Sequence, residues 1–157
     1  MKKSIALIAI LVSIFSLTLT SCSSDDDSPS GSETLKGKYE IYIDGALYKE
    51  GTNAEVGLIK DADGNYVNTI TIGTGADVGI VVSGFPFTVG DVTTMDSDGD
   101  PGINITSGQD LYSTISGTLT RTSASKISFD GTCTQLLGMQ AYTITGYVES
   151  TAWDVIN

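Results

Sequence analysis

Asp96-Ser97-Asp98-Gly99-Asp100 is the segment whose residue types and spacing come closest to a ligating site. Carboxylates at alternate positions of a turn can converge on a hard cation, and Ca²⁺ takes about six to eight oxygens. Asp96, Asp98 and Asp100 are therefore the candidate Ca²⁺ ligands, with Asp91 and Asp110 as further oxygen sources. The spelling departs from an EF-hand loop, since Gly99 sits inside the triplet, Pro101 follows it and position 107 is Ser. Asp and Gly also form plain solvated turns, which is the competing reading of the same residues. Nucleophilic chemistry has far less to work with. The chain has 19 Asp+Glu, 8 Lys+Arg, two Cys and no His. Without His there is no Ser-His-Asp or Cys-His system and no His-ligated zinc. Cys133 has no base to activate it, and its parity with Ile127 and Phe129 predicts a buried, inert small hydrophobe. Acid–base catalysis by paired carboxylates is the one enzymatic route left, and among 19 acids a suitable spacing arises by chance.

Aromatic side chains suggest a different chemistry, the stacking of planar rings on apolar sugar faces. Trp153 and the tyrosines at 39, 42, 48, 66, 112, 142 and 147 are the groups for it. Tyr42, Tyr112 and Tyr147 fall on the polar parity of their segments and are expected outside. Tyrosine is also an ordinary strand former. Thr118, Thr120 and Thr122 share the outward parity and need no more than β-propensity to explain them.

The elements that must position these residues follow a period of 2 from about residue 35 onward. Tyr39, Ile41 and Ile43 alternate with Lys38, Glu40, Tyr42 and Asp44, as a half-buried strand requires. Val56 and Leu58 share one face, and Tyr66, Ile70 and Ile72 another. Between those runs Asp61-Ala62-Asp63-Gly64-Asn65 reads as a hairpin turn. Residues 78–82 are uniformly apolar. Leu111, Ile115 and Leu119 are predicted to point one way, with Tyr112, Thr114, Ser116, Thr118 and Thr120 opposite. Ile127, Phe129 and Cys133, then Tyr142, Ile144 and Val148, complete the inward set. No helical run follows residue 34. The expectation is an all-β domain, a single antiparallel β-sandwich of about eight strands, with a lipocalin-like up-and-down β-barrel as the alternative.

The N-terminus is of another kind. Lys2 and Lys3 precede residues 5–20, an uncharged run rich in Ile, Leu, Val and Ala. It is short for a spanning helix and reads as a helical signal-peptide core. It ends in Leu19-Thr20-Ser21-Cys22, which resembles the lipobox of bacterial lipoproteins. The resemblance implies a diacylglyceryl group on the Cys22 thiol, cleavage before Cys22 and acylation of the new amine. Several acyl chains anchor a protein to a bilayer without spanning it. Ser23-Ser24-Asp25-Asp26-Asp27-Ser28 continues as an acidic, polar run that resembles the surface-export signal of Bacteroidota lipoproteins. The organisation read from the sequence is a signal peptide over 1–21, an acylated cysteine and polar tether over 22–34, and an all-β domain over 35–157.

Gly84-Phe85-Pro86-Phe87-Thr88-Val89-Gly90 and Ile115-Ser116-Gly117-Thr118-Leu119-Thr120 resemble segments of β-sandwich domains in Bacteroidota surface lipoproteins, a family with no assigned activity. The formal charge is −11, and −13 once residues 1–21 are removed with Lys2 and Lys3. Such a balance disfavours nucleic acid, whose phosphates need clustered Lys and Arg. The expectation is an outer-membrane lipoprotein facing the cell surface, attached by its lipid and not an enzyme. It would carry no cofactor beyond Ca²⁺ at the Asp loop, and its partner would be a glycan or a protein. A carrier of small ligands and a carboxylate-dependent glycan hydrolase are the alternatives.

Overall fold

The computed structural model describes residues 35–73, 78–136 and 138–156. The expected signal segment, Leu19, Thr20, Ser21, Cys22 and the acidic run lie outside the described residues. Among those described, nine strands follow one another: β1 (Lys36–Ile43), β2 (Ala46–Lys60), β3 (Tyr66–Gly73), β4 (Val78–Ser83), β5 (Val92–Met95), β6 (Gly102–Ser107), β7 (Asp110–Ser123), β8 (Lys126–Gln135) and β9 (Ala141–Ser150). A single helical turn, α1 (Trp153–Ile156), ends the description.

All strands except β5 form one ring of antiparallel neighbours, β1-β2-β3-β4-β6-β7-β8-β9, and β9 returns to β1. The domain is thus all-β and antiparallel as expected, and the architecture is the closed up-and-down barrel. The two-sheet sandwich gives way for a concrete reason. Period-2 alternation shows that each strand has an inward face, but not whether that face meets a second sheet or the same sheet curled round. Two long strands decide it. β2 has 15 residues and β7 has 14, so each spans the barrel obliquely and keeps a partner on both sides. β7 carries two partners in line along one edge: β6 through Asn104↔Ser113 to Ser107↔Asp110, and β5 through Met95↔Gly117 to Val92↔Thr120. β5 and β6 therefore act as one interrupted strand, with 96–101 as an excursion between them. Asp96 N–H donates to the Pro101 carbonyl at 2.8 Å and closes the neck of that excursion.

Turn chemistry explains the hairpins. Asp44 and Gly45 both have positive φ, 49° and 76°, the signature of the two-residue turn whose twist suits adjacent strands. At the next hairpin Asp61 Oδ1 accepts from the N–H of Asp63 at 3.0 Å and of Asn65 at 2.9 Å. These bonds, Asn65 foremost, hold the Asp61 carboxyl below its ordinary pKa.

Side chains fill the barrel. Ile41, Ile70, Val82, Ile105, Leu119, Ile127, Cys133 and Val148 are fully buried. Each large apolar side chain so buried contributes about 1.5–3 kcal/mol. One inward face differs from the expected parity. Tyr112 and Thr114 point inward near the start of β7, whereas Leu119 and Arg121 point inward further on. The pairing of β7 with β8 shifts between Thr114 and Ser116. An extra residue at Ile115 therefore reverses the alternation, as a β-bulge must. The expected common face of Leu111, Ile115 and Leu119 is thereby divided.

The two ends differ. At the proximal end, where β1 begins and β9 finishes, Trp153 closes the barrel. Its Nε1 donates to the Ser125 carbonyl at 2.8 Å, and its ring meets Phe85 edge-on at 4.6 Å. Buried Arg121 lies 6.0 Å from the same ring and donates through Nε to Ser123 O at 3.2 Å and through Nη2 to Ala124 O at 2.6 Å. At the distal end three tyrosines close the mouth edge to face, Tyr48 to Tyr112 at 5.3 Å and Tyr112 to Tyr142 at 6.0 Å.

Candidate functional site

The candidate Ca²⁺ ligands do not converge. Asp96, Asp98 and Asp100 all lie on the excursion between β5 and β6. Among the described residues, no group of three acids could hold a metal ion. Asp96 Oδ1 serves its own turn, accepting from Asp98 N–H at 3.0 Å and from Ser97 Oγ at 3.2 Å. Of the two further oxygen sources, Asp110 Oδ1 accepts from Gln135 Nε2 at 2.7 Å, and the Asp91 backbone carbonyl accepts from Arg121 N–H at 3.0 Å.

Cys133 lies in the barrel wall with its side chain fully inside, and burial pushes its thiol up to about 11. At neutral pH it stays a thiol, which makes it a poor nucleophile.

The three tyrosines expected outside divide. Tyr112 is a correction: the bulge at Ile115 turns it inward, and burial, then Tyr48, pushes its hydroxyl up to about 12. Tyr42 and Tyr147 do lie on the outer wall. There they join a polar constellation on the outer wall, across β1, β9 and β8. Glu40 pairs with Tyr147 across the β1–β9 seam, and Tyr147 pairs with Ser128 on β8. Tyr147 Oη donates to Glu40 Oε1 at 2.8 Å, and Tyr42 Oη donates to Oε2 at 3.0 Å. Lys126 Nζ sits 3.7 Å from the centre of the Tyr147 ring, and Lys38 Nζ pairs with Glu149 at 3.1 Å. The Tyr147 hydroxyl, then that of Tyr42, holds the Glu40 carboxyl below its ordinary pKa. The reciprocal effect of Glu40 pushes Tyr147 up to about 12.

This patch has chemical meaning. It keeps a carboxylate charged and oriented on the outside, with two phenol rings and an ammonium around it. Such a set can accept hydrogen bonds from hydroxyls and lay a ring against an apolar surface. It is poorly suited to general acid catalysis, which needs a raised carboxyl pKa. Among the described residues the carboxyls with a resolved shift, Glu40 and Asp61, both shift down.

A pH-dependent test follows. A depressed carboxyl contributes its stabilisation above the ordinary carboxylate pKa and loses it as pH falls through the folded pKa. Tyr147→Phe removes the largest cause of the depression. The Glu40 carboxyl should then titrate at higher pH than in the wild type, read by its side-chain carbon shift in an NMR titration. An unchanged titration would show that the hydroxyl does not hold it.

Beside the seam, an open depression of about 330 Å³ lies between β1, β2 and residues 149–151, with Lys36, Lys38, Asn53 and Ser150 among its walls. Sequence reasoning missed the Glu40 cluster because the partners lie 107 residues apart. The signal that could have found it is Glu40 and Tyr42 on the same outward parity of one strand.

No family model, curated protein or solved structure matches this chain.

Proposed function

We propose that the chain is a lipid-anchored outer-membrane protein facing the cell surface, whose barrel is a non-catalytic binding or accessory module working through its outer wall. The observation that carries the binding reading is the contrast between a barrel interior lined by buried apolar side chains and a hydrogen-bonded Glu40–Tyr42–Tyr147–Lys126 patch outside. The address is supported by the sequence: Lys2 and Lys3, the apolar core and Leu19-Thr20-Ser21-Cys22 occur in the order that lipid attachment requires. The acidic run after Cys22 supports export to the surface. Attachment in this reading comes from acylated Cys22; among the described residues no helix is long and apolar enough to cross a membrane.

The partner is a glycan or a protein at the cell surface. For a neutral glycan, Tyr42 and Tyr147 supply ring surface while Glu40 and Lys126 supply hydrogen bonds. The small-ligand carrier is the second reading, favoured by the closed up-and-down barrel. In that reading Ile41, Ile70, Ile105 and Leu119, all fully buried, would line the interior.

A glycan array probed with the mature chain, with and without Ca²⁺, tests the outer-wall reading. A retained glycan should bind Tyr42→Ala at least about fivefold more weakly, since an aromatic contact is worth roughly 1 kcal/mol. Binding that survives Tyr42→Ala, Tyr147→Ala and Glu40→Gln unchanged would place the contact elsewhere.

A further inference from the structure

We infer that the proximal end of the barrel, with Phe87, Val89 and Val92 at its rim, is a docking surface for the phospholipid bilayer to which the chain is attached. This inference rests on the lipid-anchored reading and extends it from the anchor to the orientation of the barrel.

The apolar residues are exposed yet held in place. Phe87 is 47 %, Val89 54 % and Val92 58 % exposed. Phe87 sits edge-on to buried Phe85 at 5.9 Å, and Phe85 sits edge-on to Trp153 at 4.6 Å. A stack of aromatic rings thus runs from the plugged core to the surface and ends on an open ring. The loop behind it is tied to β7, as Gly90 N–H donates to Arg121 O at 2.8 Å and Arg121 N–H donates to Asp91 O at 3.0 Å. Tyr66, 40 % exposed, begins β3 at the same end, with Lys60 Nζ 4.5 Å from its ring centre. Aromatic rings with lysines beside them suit the boundary between acyl chains and headgroups.

Two observations say what covers this end. The first is where the remaining chain joins. β1 starts here, so the chain that leads back to Cys22 leaves from this end. Between Cys22 and Leu35 there are 13 residue steps, at most about 45 Å when fully extended. An acylated Cys22 therefore keeps this end, and not the opposite one, within shortest reach of the bilayer. The second is charge. Of the five lysines among the described residues, Lys36, Lys38, Lys60 and Lys126 lie toward this end. They offset Glu55, Asp61, Asp63, Asp91 and Glu149 there. The distal end shows Asp44 and Asp110 with Lys49. The ammonium groups that can meet anionic headgroups are thus gathered mostly at the proximal end.

The test uses the full chain processed in cells, purified and reconstituted into vesicles of phosphatidylethanolamine with a minority of phosphatidylglycerol. An environment-sensitive fluorophore is placed by Val89→Cys or, at the distal end, by Met139→Cys, where the native Met139 is 79 % exposed. Cys133 is buried and does not compete for label. The Val89→Cys label should shift to the blue and be quenched by bromine-bearing lipids, while the Met139→Cys label stays in water. Adding Phe87→Ser and Lys60→Glu, both at exposed positions, should abolish the shift.

Both labels in water, with the acyl mass present on the chain, would overturn the inference and leave the lipid anchor standing. A dry Met139→Cys label with a wet Val89→Cys label would overturn it too. A Val89→Cys shift that grows with protein density and ignores the lipid quencher would mean that two copies of the chain meet there, again contradicting it. Loss of the acyl mass itself would remove the anchor and the inference together, which mass spectrometry of the intact chain separates from the other outcomes.

Discussion

Trp153→Ala should cost the barrel about 3–5 kcal/mol of stability, the range for emptying a fully buried aromatic site. The ring has no exposure, so its removal opens a hole against Phe85 and leaves the Ser125 carbonyl without the Nε1 donor. Arg121 also loses the ring face beside its guanidinium. Domains of this size have about 5–15 kcal/mol in total, so the loss is a large share. Urea unfolding followed by far-UV circular dichroism reads it, since the only tryptophan is gone in the variant. Trp153→Phe keeps most of the volume and should fall well short of the alanine loss. Equal midpoints for wild type and Trp153→Ala would show that α1 does not plug the barrel.

Gly146→Val should be comparably severe for a different reason. Gly146 has φ 152°, a conformation that side chains rarely adopt. A Cβ there would collide with the Glu40 carbonyl oxygen and press on the Phe129 ring. Gly146 faces Ile41 on β1 and Phe129 on β8, so the collision falls on the seam between the first and last strands. Backbone strain and overpacking each cost about 1–3 kcal/mol, giving roughly 2–6 kcal/mol together. Gly108→Ala is the control. Gly108 also has a positive φ, 60°, but nothing lies within 4 Å of an added Cβ, so only the conformational cost of about 1 kcal/mol applies. Equal losses at the two positions would deny the seam its tight approach.

The seam matters because it turns a curved sheet into a ring. Besides Glu40 and Tyr147, it is tied by Lys38 to Glu149, by Ser150 Oγ donating to Lys36 O at 3.1 Å, and by Asp44 Oδ1 accepting from Thr143 N–H at 2.8 Å. All these bonds join residues about a hundred positions apart. Period-2 alternation carries no information about them, and that is why the inward residues were legible while closure was not. Tyr39, Ile41, Val56, Ile70, Ile72, Ile127, Phe129, Ile144 and Val148 all point inward as their parity predicts. Tyr112 and Thr114 point inward against theirs, because one extra residue at Ile115 reverses every side chain before it relative to those after. Asp63-Gly64 was recognisable as a turn; Asp44-Gly45, with the same dipeptide, forms the tighter one. The Asp96-Ser97-Asp98-Gly99-Asp100 segment shows the limit most clearly. Its spelling suits both a cation and a turn, and the hydrogen bonds of Asp96 to Ser97 and Asp98 could not be read from that spelling.

Everything proposed about orientation and partner depends on the chemistry of one residue, Cys22. Membrane fractionation of cells making the wild-type chain or Cys22→Ala, with lipid labelling of both, tests it directly. The account predicts that the wild-type chain incorporates label and sediments with membranes, while Cys22→Ala takes up no label and appears in the soluble fraction. Retention of an unlabelled Cys22→Ala chain in the membrane fraction at the wild-type level would contradict it.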